Sequence, residues 1–215
     1  MEMTAGIALA AGAAWASGIN VYAVVLVLGL LGSAGYMTLP PDLEIVMNPV
    51  VIAAAGLMYC VEFFADKTPG VDTAWDSIHT FVRIPAGAVL AAATLGELDP
   101  AIQLAAFIIG GGLAASSHAV KAGTRVMLNT SPEPVSNWTA SVTEDLIVVG
   151  GLWAALNHPL VFLVLLAIVI AFTIWFLPKL WRAIKQVGRS IKGFFSRSDT
   201  AVVADEPDVK SLGKP

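Results

Sequence analysis

No charged residue occurs from Met3 to Pro41, from Ile45 to Val61, from Ile84 to Gly96, from Pro100 to Val120, or from Leu146 to Pro178. A helix crosses a bilayer core in about 20 apolar residues. Inside that core every backbone polar group must be bonded within the structure. Charge-free runs of this length, repeated along a 215-residue chain, define the fold class as all-α: a polytopic membrane helix bundle. Charged residues make up 13% of the chain, against about 25% in a soluble domain. The net charge of −4 is spread over loops and tail, so it names no acidic or basic ligand and gives no sign of nucleic-acid binding.

The runs predict six transmembrane helices, near 4–33, 46–65, 76–96, 100–120, 138–156 and 159–178. The last two share one apolar run, broken at Asn157-His158-Pro159, where proline and its neighbours favour a turn. Ala14-Trp15-Ala16 resembles a signal-peptide cleavage site. The stretch before it has no positive charge and the apolar run continues past it, so a retained first helix is expected. Cys60, the single cysteine, can form no intramolecular disulfide, and its place in an apolar run points to core packing.

The Lys and Arg residues sort by side. Lys67 follows helix 2, Lys121 and Arg125 follow helix 4, and the rest except Arg83 follow helix 6. Segments 34–45, 97–99 and 157–158 hold none. The positive-inside rule then places both termini in the cytoplasm. Residues 1–178 form the bundle. Residues 179–197 read as a basic amphipathic helix: Leu180, Trp181, Ile184, Val187, Ile191, Phe194 and Phe195 recur at helical spacing, with Arg182, Lys185, Arg189 and Lys192 between them. Such a helix lies on an anionic leaflet or docks a partner. Residues 198–215 are polar and expected to be disordered.

A degenerate internal repeat is expected as well. Asn48-Pro49 and Asp99-Pro100 open helices 2 and 4. Pro69 precedes Trp75, and Pro132 precedes Trp138, by the same spacing, and at constant offset Thr80, Ile84 and Gly87 meet Thr143, Ile147 and Gly150. Related helix pairs of this kind often flank a transport site. Pro and Trp are also common at membrane interfaces without any repeat. The first helix echoes the fourth at Ser17-Gly18-Ile19-Asn20 and Ser116-Ser117-His118.

The candidate site is built from ionisable groups that a membrane helix would otherwise exclude. Asp76, His79 and Arg83 share one face of helix 3, with Thr80 beside them. Ser141, Glu144 and Asp145 share a face of helix 5. Glu62, Asp66, His118, Lys121 and Arg125 join them at the same end of the bundle. Two adjacent carboxylates in low dielectric need a cation or a proton. One reading is a hydrated cavity, open to the cytoplasm, that passes a small polar or charged solute. Another is a structural ion-pair network, with Arg83 on Asp145 or Glu144 and Lys121 on Glu62 or Asp66, in a scaffold or lipid-binding protein. A third is lipid-headgroup chemistry with Asp76 orienting His79 as base, although no nucleophile is marked. Asp72 and Lys67 read as solvated loop charges. Asp76 to Arg83 otherwise carries no catalytic signature, and neither a cofactor nor a metal is indicated: His79, His118 and His158 are scattered, and Gly110-Gly111-Gly112 is mid-helix rather than a phosphate loop. Small residues along several helices allow close approach and fit a homo-oligomer.

From Glu62 to Arg83 the chain resembles a bacterial membrane family catalogued as domain of unknown function 4126. The resemblance rests on Glu62, Asp66-Lys67, Pro69-Gly70-Val71-Asp72, Trp75-Asp76 and His79 to Arg83. A second motif matches at His118, Arg125, Ser131-Pro132-Glu133-Pro134 and Asn137-Trp138. The resemblance implies membrane location and no activity; the expected location is a bacterial inner membrane.

Overall fold

The computed structural model describes residues 2–96, 98–130 and 134–204, and every regular element among them is helical. In chain order these are α1 (Met3–Ser33), a 3-10 helix (Pro41–Met47), α2 (Pro49–Ala65), α3 (Val71–Thr94), α4 (Pro100–Leu128), α5 (Pro134–Asn157) and α6 (Pro159–Ala204). The helix starts follow local chemistry. Asn48 and Asp99 accept the amide hydrogens of Val50 and Ala101, and the proline after each supplies the first helical residue. Gly70, at φ 84°, makes the tight corner between α2 and α3.

By length and composition α1, α4, α5 and the first part of α6 can each cross a membrane, and the 3-10 helix with α2, bent by 65°, forms a fifth candidate. α3, which carries Asp72, Asp76 and Arg83, is not among these candidates. Those side chains face inward, which is how a charged helix sits in an apolar bundle. Large apolar side chains such as Leu104, Ile108, Leu160, Val164 and Ile168 stay exposed on the outside, as a lipid-facing surface requires.

α1 is the departure from expectation. Asn20 leaves helical geometry, at φ −152° and ψ 94°, and divides α1 into two arms. The Asn20 side chain accepts the amide hydrogen of Ala23 at 2.9 Å and so caps the second arm. The arms run back along one another. Glu2, Met3 and Gly6 share a small hollow with Pro40, Thr94 and Leu98. Gly12 lies against Ala155 and Phe162, and Gly18 against Ala114 and Ser117. After the break Tyr22 reaches His79, while Gly29 returns to Val46 and Ile52. Both ends of α1 therefore lie at the same end of the bundle, and its tip, Gly18-Ile19-Asn20, lies deep within it. Each arm is about 20–25 Å long at 1.5 Å per residue. Leu9, Ala13, Val24 and Leu28 from the two arms join Leu43, Leu90 and Leu152 in one buried cluster.

This hairpin differs from the single continuous helix expected over 4–33, and it leaves residue 2 and the C-terminal part of α6 at opposite ends of the bundle. Small residues make the fold-back feasible. A Cβ on Gly18 would collide with the Ala114 carbonyl and Ser117 Oγ; Gly87 meets Ala114 and Gly110 meets Ala91 in the same way. Gly112, by contrast, has open space around it.

Three further differences concern local elements. Cys60 is exposed on the outer face of α2 rather than packed in the core. α6 runs without a break through Pro178 and past Ser198 to Ala204, so the expected boundaries at 178 and 198 fall inside one helix. Pro178 removes only one backbone donor, and neither Gly nor Pro interrupts residues 194–204. Residues 205–215 lie outside the described residues. α3 likewise continues through Pro85.

Candidate functional site

The polar ends of α2, α3, α4 and α5 enclose the tip of α1. Lys121, on α4, is at the centre. Its Nζ lies 2.7 Å from Asp66, 3.5 Å from Glu62, 3.6 Å from Glu144 and 3.9 Å from Asp76. Two guanidinium groups flank it. Arg83 reaches Asp76 at 2.6 Å and Glu62 at 2.8 Å. Arg125 reaches Glu144 at 2.6 Å and also donates to the carbonyls of Asp66 and Asn137. Arg83 and Arg125 are wholly buried, and Glu144, at 18% side-chain exposure, is the most open of the paired groups. Paired geometry of this quality is what allows charges to remain in low dielectric.

The break in α1 feeds into this centre. In an unbroken helix the amide of Ala23 would bond the Ile19 carbonyl; here it bonds Asn20 Oδ1. The Ile19 carbonyl instead accepts from Lys121 Nζ at 3.0 Å. On the other arm, Asn20 Nδ2 donates to Asp145 at 3.3 Å. The first arm thus presents its electronegative C-terminal end to a lysine, and the second presents its electropositive N-terminal end to an aspartate. Ser117 donates to the Trp15 carbonyl at 2.6 Å and ties the first arm to α4.

Histidines form a second layer. Arg83 has only donors, so His118 Nδ1 accepts from it at 3.1 Å. That assigns the ring proton to Nε2, which donates to Thr80 at 2.7 Å, and Thr80 in turn donates to the Asp76 carbonyl. His79 donates to the Trp75 carbonyl at 2.9 Å, stacks on the Trp75 ring and accepts from Tyr22. Asp76 is held by Arg83, not by His79, so the expected base-and-orienter pair does not form.

The loop charges are corrected too. Asp72 is fully buried; it accepts from the amides of Gly70 and Thr73 and from Asn129. Lys67 is 5% exposed, donates to Ser141 and the Phe63 carbonyl, and sits over the Phe63 ring. Burial pulls the Lys67 ammonium below the ordinary lysine range, and the neighbouring Asp145 and Asp66 oppose that shift. Asn129 and Asn137 complete the loop clasp at 3.1 Å.

The structure brings Glu62, Asp66, Asp76, Arg83, His118, Lys121, Arg125 and Glu144 into one centre, with His79, Thr80 and Asp145 at its edge. Lys121 meets Asp66 and Glu62 as expected, whereas Arg83 pairs with Glu62 and Asp76 rather than with Asp145 or Glu144. In this centre the charged side chains pair with one another and, Glu144 apart, are almost wholly buried. A hollow of about 660 Å³ adjoins it between α4 and α6, lined by Ala122, Gly123, Val126, Leu177 and Trp181, with Thr80 and His118 as its polar floor. Pro69 and Gly70 form the α2–α3 corner, the Trp138 ring lies 5.2 Å from Lys67 Nζ, and Pro132 lies outside the described residues. Sequence reasoning missed Asn20, Ile19, Tyr22 and Asn129. The signal available for Asn20 was an amide inside an otherwise charge-free, Ala-rich helix.

Fold and site together describe a helical protein with membrane-spanning character and a buried ionic centre. Residues 7–179 match the family model described as "Domain of unknown function (DUF4126)", and the chain belongs to that family. No match is found among curated proteins or among solved structures.

Proposed function

We propose that this protein passes or transports a small polar or charged solute across a bacterial inner membrane, and that the structure is its closed form. The reading rests on the α1 break. A helix that folds back inside a bundle leaves backbone groups unpaired at depth, and such breaks persist where they serve an ion or solute path. Here both broken ends meet charged side chains, Lys121 and Asp145. A bundle glued only for stability has no need of this, since interhelical polar contacts in membranes average below about 1 kcal/mol. With the basic stretch of α6 at the cytoplasmic face, the ionic centre opens inward, the C-terminus is cytoplasmic and the N-terminus is external. The half-repeat of α2–α3 and α4–α5 then flanks the path.

The test is flux in proteoliposomes. Arg83→Ala and Glu144→Ala are each expected to abolish or uncouple solute movement while assembly persists. Unchanged flux for both variants across a panel of small ions and polar solutes would sink the proposal. The second reading, a scaffold or lipid-binding protein, is favoured by one observation: Arg125 and Glu144 form a 2.6 Å pair. That reading expects Arg125→Glu with Glu144→Arg to restore function. A transport path would not tolerate the exchange.

A further inference from the structure

We infer that the cage around Lys121 is a binding site for a monovalent cation of ammonium size, and that the Lys121 ammonium is its tethered resident. Four carboxylates, Glu62, Asp66, Asp76 and Glu144, surround one Nζ at 2.7 to 3.9 Å. A fifth oxygen, the Ile19 carbonyl, lies at 3.0 Å and is available only because α1 breaks at Asn20. The cage also holds more acceptor capacity than its occupants use. Glu62 Oε2, Asp66 Oδ1 and Asp76 Oδ2 are buried without a hydrogen-bond partner among the described residues. These three carboxylates and Glu144 face Arg83, Lys121 and Arg125, and Lys67 acts on Asp66 and Glu144 from the edge.

Size follows from distance. The shortest contacts, 2.7 Å to Asp66 and 3.0 Å to Ile19, are charge-assisted N–H···O lengths. Calcium and magnesium need oxygens at roughly 2.0–2.6 Å, and no group of three His, Cys, Asp or Glu side chains among the described residues is set to hold a metal ion. An ammonium ion or a primary amine headgroup fits in place of Nζ. Lys121 reaches the cage from α4 on a flexible stem, so an incoming cation can displace it. Cargo of this class rests on the transport reading; binding in the cage does not.

The experiment removes the resident. Lys121→Ala empties the cage while Arg83 and Arg125 stay in place. Purified protein is titrated with methylammonium, ammonium, potassium, sodium and tetramethylammonium chlorides at matched ionic strength, followed by thermal unfolding through tryptophan emission and by binding of labelled methylammonium. Saturable stabilisation of Lys121→Ala by methylammonium or ammonium is expected. Methylammonium affinity should be at least about tenfold above wild type, where a resident lysine reduces the competent fraction. Lys121→Arg, with its cation retained, should show no response. Preference for methylammonium over potassium identifies an amine, and the reverse overturns the inference. No saturable response, or equal stabilisation by tetramethylammonium, overturns the inference. Where Lys121→Ala does not yield folded protein, Lys121→Gln keeps the stem volume, and its folded yield with and without methylammonium during extraction gives the same decision. Methylammonium flux through wild-type proteoliposomes is scored separately. Binding by Lys121→Ala without any wild-type flux upholds the cage and removes the transport reading.

Discussion

At the end of the bundle where α1 begins and finishes, helices meet through glycine, alanine and leucine. At the end where α1 turns, they meet through Arg83, Lys121 and Arg125. The first contact is shape: Gly12 rests on Ala155 and Phe162, and Gly29 on Val46 and Ile52. The second is charge, with Glu62, Asp76 and Asp66 fully or almost fully buried. Close packing tolerates small adjustments in many places. A buried ion network does not, because removing one member leaves its partner as an unpaired charge. The contrast teaches where the fold is vulnerable. Apolar packing spreads its contacts over many side chains, whereas the ionic centre concentrates four carboxylates around one lysine.

That difference can be broken or sharpened by substitution, from the largest effect to the smallest. Arg83→Leu strands Glu62 and Asp76 together and is expected to destabilise the protein by about 3–5 kcal/mol, read by reversible unfolding in mixed micelles. A loss under about 1 kcal/mol would mean that the centre is hydrated and not closed. Gly18→Val forces the tip of α1 away from Ala114 and should cost about 1–3 kcal/mol. It should also disturb the Lys121 contact to Ile19, which a change at the apolar end would leave intact. Asn20→Ala removes the cap of the second arm and its bond to Asp145, with an expected loss of about 1–2 kcal/mol; Asn20→Asp should keep the cap yet place a carboxylate beside Asp145. Cys60→Ser, on the exposed face of α2, should change stability by less than about 0.5 kcal/mol.

Much of this architecture is legible in the sequence. The charge-free runs locate the helices because hydrocarbon admits nothing else of that length, and Asn48-Pro49, Asp99-Pro100 and Asn157-His158-Pro159 mark their ends. The ionic residues were recognisable one by one, since each stands out against its apolar helix. Their pairing was not, because helical spacing fixes which face a side chain takes and not which neighbour it meets. Arg83 illustrates this: its partners are Glu62, on the preceding helix, and Asp76, two turns back on its own. The reversal of α1 was hidden for a related reason. Hydropathy reports that a segment prefers lipid or core, not which way it travels, and one amide in a 31-residue helix changes the direction. Lys67 and Asp72 looked solvated because they flank a Pro-Gly corner. Phe63, Ser141 and Asn129, from three different elements, bury them.

The fold-back of α1 also sets an order of manufacture. The Ile19 carbonyl finds its partner on Lys121, 102 residues later in the chain. At about 5–20 residues per second, a ribosome needs roughly 5–20 s to supply it. Through that interval α1 carries a polar tip whose partner has not yet been made. The hairpin of α1 is thus completed only when α4 is present.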